Sequence, residues 1–312
     1  MAGSKSTRNS VILVLAALIW GIAFVAQSEG DDVIGPYAFT SIRYLIGGVV
    51  LLPVIAILDK TGLSAEKPET KAEKKTLLLG GLCCGICVAF ASILQQVGIY
   101  LGTSAGKAGF LTACYIILVP ILGILFKRKC GINVWISVII AIIGLYLLCI
   151  KGGFTIEKSD MLVLACSLLY ACHILTIDHF LLKNVHPVRM ACLQFFVCSL
   201  IAWLPAFFVD MGSDITRLPS LLAAAFSGKA LVAILYTGVM SSGVAYTLQI
   251  VGQKDVNPTV ASLLMSLESV FSVIGGWLIL HDVLSARELL GCGIMFCAIV
   301  LSQLPTEKLK KQ

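Results

Sequence analysis

The sequence has few charged residues, since Asp, Glu, Lys and Arg make up only 13% of its 312 residues. Soluble globular proteins carry about 25% of these residues and about 45–50% apolar ones. This chain is 58% apolar, with a mean hydropathy of +0.97. A soluble fold of this size would still expose a large area to water, and a disordered chain needs few apolar residues. The composition therefore excludes soluble enzymes, nucleic-acid-binding proteins and disordered chains.

Patterns that bind metals or nucleotides are also scarce. The chain has only four histidines, and its 12 cysteines are scattered through apolar stretches. Cys84 and Cys87 form a C-x-x-C pair, but no second pair with zinc spacing and no nearby histidine completes a site. Small cysteines in apolar runs are typical of helix packing, and no phosphate-binding glycine loop occurs. We predict no catalytic residue, no metal and no cofactor.

Long apolar runs are abundant, and each approaches the roughly 20 residues that a membrane helix needs. The first run is too long for a signal peptide, and no clear cleavage site follows it. The fourth and ninth runs have short entry loops and are interrupted by the charged residues Lys107 and Glu268. The ten runs cover about 10–29, 36–58, 76–99, 105–126, 132–150, 160–180, 188–209, 229–251, 258–280 and 286–304. We therefore predict an all-α integral membrane protein with ten transmembrane helices.

The distribution of Lys and Arg predicts the orientation, because cytoplasmic loops carry an excess of them. With the N-terminus in the cytoplasm, sixteen Lys and Arg residues fall in inside segments and five in outside loops. This ratio favours an even number of spans with both termini in the cytoplasm. The expected location is the cytoplasmic membrane.

The chain contains a weak internal repeat. Residues 94–113 align with 248–267, which pairs Gln95 with Gln249 and Gly98 with Gly252, and an earlier match pairs Trp20 with Tyr170. We predict two halves of five spans each, at 10–150 and 160–304. Because five is odd, the halves would insert with opposite orientation. Such inverted repeats are typical of transporters that work by alternating access, with a site at the repeat interface.

Several segments resemble the EamA family of the drug/metabolite transporter superfamily, in both of its repeats. Their order over almost the whole chain is more specific than any one of them. They are LIWGIAFVAQ at 18–27, FTSIRYLIGGVVLLPV at 39–54, AGKAGFLTACYIILVPIL at 105–122, SLLMSLESVFSVIGGWLILHD at 262–282 and ELLGCGIMFCAIVL at 288–301. The resemblance implies a transporter of small metabolites in the cytoplasmic membrane, often an exporter. Where the family often ends a helix in Gly-Glu, this chain has His281-Asp282 and Phe126-Lys127. Asp282 could replace that Glu, whereas Lys127 does not.

Three charged residues interrupt the apolar spans, where charge is costly and usually faces a cavity or a partner. Glu268 lies near the middle of the ninth span, on a helical face shared with Ala261, Leu264, Ser272 and Gly275. It either handles substrate or a proton, or is a structural carboxylate.

Lys107 and Arg43 lie nearer the membrane surface. Lys107 either extends to the headgroups or is a cavity cation that meets a substrate carboxylate or pairs with Glu268. Arg43 is seven residues past Pro36, about 10 Å deep at 1.5 Å per residue. A structural role within the first repeat is favoured for it.

His173 is a candidate for proton coupling, because a histidine pKa can cross physiological pH, but a lone histidine on an apolar helix more often packs. Aromatic residues at mid-depth do not belong to the interfacial belt, and buried amides need partners. Both types therefore either line a cavity or pack between helices. The further cavity candidates are Trp20, Tyr115, Tyr170, Tyr246, Gln95 and Gln249.

The leading hypothesis is a secondary transporter for an amino-acid-like or drug-like solute, with protons as candidate co-substrate. A membrane-embedded enzyme would need clustered His, Asp or Glu near one membrane face, and the four histidines form no such cluster. A receptor or scaffold would not need two repeats. The expected partners are a small-molecule substrate and membrane lipids, with no nucleic acid. A monomer and a homodimer are both open.

Overall fold

A computed structural model describes residues 2–61, 68–125, 127–128, 130–150, 156–279 and 285–304. Every regular element in these residues is helical, and ten helical segments are long and apolar enough to cross a membrane. The predicted all-α, ten-helix fold is confirmed. The His281-Asp282 pair and Phe126 lie outside the described residues.

We number the ten segments as spans 1 to 10. In the first half, spans 1 to 5 are the helices Ala2–Ile34, Pro36–Thr61, Lys71–Tyr100, the pair Ala105–Ala113 and Tyr115–Leu125, and Ile132–Cys149. In the second half, span 6 is Lys158–Leu181, and span 7 is Pro187–Pro205 extended by the π-helix Ala206–Asp210. Span 8 joins Gly228–Leu235, the π-helix Tyr236–Tyr246 and Thr247–Gln253. Span 9 is Pro258–Met265 with Glu268–Ile279, and span 10 is Ala286–Gln303. A short turn, Ile215–Arg217, and the helix Leu218–Ala225 connect spans 7 and 8.

Local sequence signals set several helix starts. Span 3 begins with a capping box in which Thr70 and Glu73 satisfy each other's backbone N–H groups, and Ser285 and Glu288 do the same for span 10. Such boxes satisfy donors that a helix start leaves open. Pro258, at the first position of span 9, lacks an N–H that would be unpaired there.

The packing of the spans has internal two-fold symmetry. Span 1 packs on spans 8 and 9, and span 6 packs in the same way on spans 3 and 4. Spans 2 and 7, 4 and 9, and 5 and 10 pack on each other. Each half thus completes the other, and the chain consists of two inverted five-helix repeats.

Two glycines make matched close contacts in the two halves. A Cβ at Gly98 would collide with the Val163 side chain and lie 3.0 Å from Ser159 O. A Cβ at Gly252 would lie 2.9 Å from Leu13 Cγ and 3.1 Å from Asn9 O. We call these contacts the Gly98 seam, between spans 3 and 6, and the Gly252 seam, between spans 8 and 1. Because successive spans run in opposite directions, the seams lie at opposite ends of the bundle.

The residues facing the glycines are repeat counterparts. Val163 and Leu13 each lie seven residues before the paired aromatic residues Tyr170 and Trp20. The glycine pairing predicted from sequence therefore corresponds to equivalent positions in the fold.

Spans 4 and 9 are both interrupted by a tightened turn near their middle. At Cys114 the backbone N–H donates to Leu111 O, three residues back, at 3.3 Å. At Leu267 the N–H donates to Leu264 O, also three residues back and at 3.3 Å. Such tightened turns within a helix often mark functional positions. Helices broken at corresponding positions of two repeats are typical of transporter binding sites.

Candidate functional site

A cavity lies between the two halves of the bundle. Residues of spans 1, 2, 3, 4, 6, 8 and 9 line it. Of the ten predicted site residues, the structure brings eight together there: Trp20, Arg43, Gln95, Tyr115, Tyr170, Tyr246, Gln249 and Glu268.

Glu268 and Tyr115 form the acidic side of the cavity. Each follows an interruption of its span, and the Tyr115 hydroxyl donates a hydrogen bond to Glu268 Oε1 at 3.1 Å. Glu268 is only 5% exposed. Span 1 can approach the backbone of span 9 closely because residue 21 is a glycine. A Cβ at Gly21 would lie only 2.7 Å from the backbone oxygen of Glu268. The two broken spans and span 1 therefore hold a carboxylate at the cavity wall.

Arg43 forms the basic side. It is buried, and its Nη1 donates to Gln27 Oε1 at 2.9 Å. The guanidinium carbon lies 4.9 Å from the centre of the Tyr44 ring and 5.9 Å from that of Phe39. Within the described residues its Nε has no hydrogen-bond partner. Arg43 thus joins spans 1 and 2 of the first repeat and also lines the cavity.

Three tyrosines from spans 2, 6 and 8 meet around Ser92 of span 3. The Ser92 hydroxyl lies 2.6 Å from the Tyr44 hydroxyl and 3.1 Å from that of Tyr170. The Tyr44 hydroxyl also donates to the Tyr246 hydroxyl at 3.1 Å. Because the tyrosines come from both halves, this cluster fixes the aromatic wall across the repeat interface.

The paired residues of the repeat face the cavity from both halves but differ in their bonding. Gln95 Nε2 donates to Thr112 Oγ1 at 2.9 Å. Its counterpart Gln249 is equally buried, yet Gln249 Oε1 has no partner within the described residues. Trp20 packs edge-on against Tyr246 at 4.8 Å and donates from Nε1 to Ser241 O at 3.3 Å.

Lys107 and His173 do not line the cavity. Lys107 forms an ion pair with Asp160 at the start of span 6, rather than with Glu268. His173 is fully buried between spans 6 and 7, where its Nε2 lies 3.0 Å from Gln194 Oε1. Its ring packs edge-on against the cavity residue Tyr246, with 5.9 Å between the ring centres. Proton coupling by His173 stays a prediction.

Sequence reasoning missed three polar residues of the lining, namely Gln27, Thr112 and Ser241. Gln27 had a usable signal, because it lies seven residues after Trp20 and so shares its helix face. Thr112 and Ser241 had none, since single hydroxyl residues in apolar helices commonly bond their own backbone.

The sequence profile of the EamA-like transporter family matches residues 9–150 and again residues 157–304. The chain belongs to the EamA-like transporter family. It is therefore a multi-pass membrane transporter, and a small-molecule substrate and a membrane environment follow from the family.

Similar proteins agree with this assignment. An uncharacterized transporter of Archaeoglobus fulgidus is 26% identical over 303 residues, which covers 97% of this chain and 88% of that protein. The uncharacterized transporter YoaV of Bacillus subtilis is 22% identical over 296 residues, covering 93% and 94%. A protein crystal structure superposes with a TM-score of 0.74 at 15% identity and covers 95% of this chain and 96% of that one. This structural likeness supports the fold.

The cavity combines one carboxylate and one guanidinium that do not pair with each other. Among the described residues no ion pair joins Arg43 to a carboxylate, and Glu268 has Tyr115 as its hydrogen-bond partner. The described residues also contain no cluster of His, Cys, Asp and Glu suited to a metal ion. The lining can therefore bind a solute through its charged groups, through hydrogen bonds and through packing against the aromatic rings.

Proposed function

We propose that this protein moves a small zwitterionic metabolite of the amino-acid type across the cytoplasmic membrane by alternating access. The substrate occupies the central cavity, and the repeats at 10–150 and 160–304 move around it. Both termini lie in the cytoplasm. The direction is export, which rests on the family resemblance alone.

The observation that carries the proposal is the presence of two unpaired opposite charges in one buried cavity. A buried charge without a partner is strongly destabilising, and charges within spans mark substrate and ion pathways. A zwitterion compensates both, because its ammonium group can pair with Glu268 and its carboxylate with Arg43. The Trp20 and Tyr246 rings add surfaces that attract an ammonium group.

The zwitterion is favoured over the cationic drug-like alternative. A purely cationic solute would satisfy Glu268 but leave Arg43 without a counter-charge, and Arg43 would repel it because both residues line the same cavity. A purely anionic solute would satisfy Arg43 but leave Glu268 without a counter-charge, and Glu268 would repel it. Protons are the proposed coupling ion, because carboxylates within membrane spans are typical of proton pathways.

Transport by purified protein in proteoliposomes tests the function. We expect counterflow of one or more amino acids from a radiolabelled pool, and Glu268→Gln and Arg43→Gln should each reduce it at least tenfold per folded molecule. Gly293→Ala, in span 10 and outside the cavity lining, is the control, because a Cβ there has nothing within 4 Å. Chemical conversion of the solute would support the enzyme alternative, and saturable binding without counterflow would support a receptor. Full counterflow by both variants would contradict the assigned site.

The orientation has its own measurement. Green fluorescent protein fused after Gln312 should fluoresce, and alkaline phosphatase fused there should be inactive, because the first folds in the cytoplasm and the second outside it. The opposite result would reverse the orientation without affecting the cavity.

A further inference from the structure

Gln27 is held more firmly than cavity contact alone requires. Its side chain is 4% exposed. Its Oε1 accepts from Arg43 Nη1 at 2.9 Å, and its Nε2 donates to Ala23 O in the preceding turn at 3.4 Å. The backbone oxygen of Gln27 accepts a hydrogen bond from Gln96 Nε2 of span 3 at 3.5 Å. Both ends of the Gln27 amide are therefore anchored, and spans 1, 2 and 3 meet at this residue.

The partner that Gln27 holds has a defined orientation. A guanidinium is a planar fork of five N–H donors, which suits bidentate pairing with a carboxylate only when the plane is aimed correctly. Gln27 takes one end of the Arg43 fork, and the Tyr44 ring lies 4.9 Å from its central carbon. The buried Nε lacks a partner within the described residues. The fork is thus fixed on one side and has donor capacity left on another.

We infer that Gln27 is a positioning residue that makes the cavity selective for a carboxylate-bearing solute by aiming the Arg43 guanidinium. The inference rests on the proposed function and adds a residue and a specificity to it. A neutral amide is suited to this role, because it accepts a hydrogen bond from Arg43 without cancelling the charge. A carboxylate at position 27 would pair with Arg43 and compete with the substrate.

The test compares two probes that differ in one charge. These are the amino acid that the wild-type protein transports fastest and its methyl ester, which keeps the ammonium group and lacks the carboxylate. Inhibition of counterflow gives the affinity for each. In Gln27→Leu we expect the amino acid to bind about tenfold more weakly, the loss typical of a hydrogen bond to a charged group. The methyl ester should change by less than about twofold.

A double-mutant cycle separates positioning from general support of the fold. In an Arg43→Gln background, Gln27→Leu should cause no further loss of amino-acid affinity, because its effect passes through Arg43. Gln27→Glu should weaken the amino acid more than Gln27→Leu does, while leaving the ester unaffected or improved. Gly293→Ala should leave the ratio of the two affinities unchanged.

The outcomes are distinguishable from failure of the proposed function. If no amino acid is transported, or if Arg43→Gln does not reduce the preference for the amino acid over its ester, the proposed function is contradicted. If Arg43→Gln does so but Gln27→Leu weakens both probes equally, Gln27 is a structural residue and the inference is overturned. Additive effects in the double variant would overturn it as well.

Discussion

The Gly98 seam and the Gly252 seam have the same glycine contact but different polar surroundings. Beside the Gly98 seam, Asp160 accepts a hydrogen bond from Thr103 Oγ1 at 2.9 Å and forms an ion pair with Lys107. Beside the Gly252 seam, Asn9 Nδ2 donates to the carbonyl oxygen of Lys254. The repeat therefore preserves the close helix approach, and each half has its own side chains to stabilise it.

The two seams also differ in how well their buried polar atoms are satisfied. Asp160 uses both oxygens, since Glu157 N also donates to it at 2.7 Å. At the other seam Asn9 Oδ1 and Gln253 Oε1 have no partner within the described residues. An unsatisfied buried acceptor is costly, and hydration on opening would remove that cost. We therefore expect the Gly252 seam to open more readily than the Gly98 seam.

The largest effect is expected from breaking the charged network with Asp160→Ala. Removing one partner of a largely buried ion pair leaves the Lys107 ammonium unpaired, and the Thr103 and Glu157 hydrogen bonds are also lost. We expect unfolding to become easier by about 3 kcal/mol, measured by thermal and denaturant unfolding in detergent. Hydrogen exchange should increase at the adjoining ends of spans 3 and 6.

A compensating double variant checks the cause. Lys107→Leu combined with Asp160→Leu removes both charges and should recover part of the lost stability, because the uncompensated cation is gone. If the double variant is less stable than Asp160→Ala, the ion pair is not the reason that the Gly98 seam is firm.

A smaller effect is expected from alanine at the seam glycines. The Cβ contacts at Gly98 and Gly252 are below normal separation, so either substitution should push its two helices apart. Overpacking of this kind costs about 1–3 kcal/mol. Gly293→Ala in span 10 is the matched control, because a Cβ there has nothing within 4 Å. We expect faster hydrogen exchange at the altered seam alone, and equal exchange at both seams in either variant would disprove their independence.

Composition and hydropathy predicted the ten spans because a membrane demands continuous apolar helices. Repeat matching paired Gln95 with Gln249, and the structure places both at the cavity, since inverted repeats bring equivalent positions to their interface. The interruptions in spans 4 and 9 could not be predicted, because apolar side chains there do not reveal a change from i−4 to i−3 bonding. Lys107 could not be assigned a partner either, since the contact with Asp160 depends on how the two halves pack.

The smallest effect is expected from Gln253→Leu, which bears most directly on why the Gly252 seam is the weaker one. Gln253 is 2% exposed, and its Nε2 donates to Ile174 O at 3.4 Å. Leucine removes this long bond together with the unpaired Oε1, and such apolar replacement of buried polar groups is nearly neutral or stabilising. We expect the unfolding free energy to change by less than about 1 kcal/mol.

Loss of the Gln253 Oε1 atom, which water could reach when the seam opens, should make the Gly252 seam harder to open. Counterflow should therefore slow while substrate affinity is retained. Hydrogen exchange near the end of span 8 should slow as well. Faster exchange there would mean that the Gln253 amide holds the seam closed, and the contrast between the two seams would then have to rest on the ion pair alone.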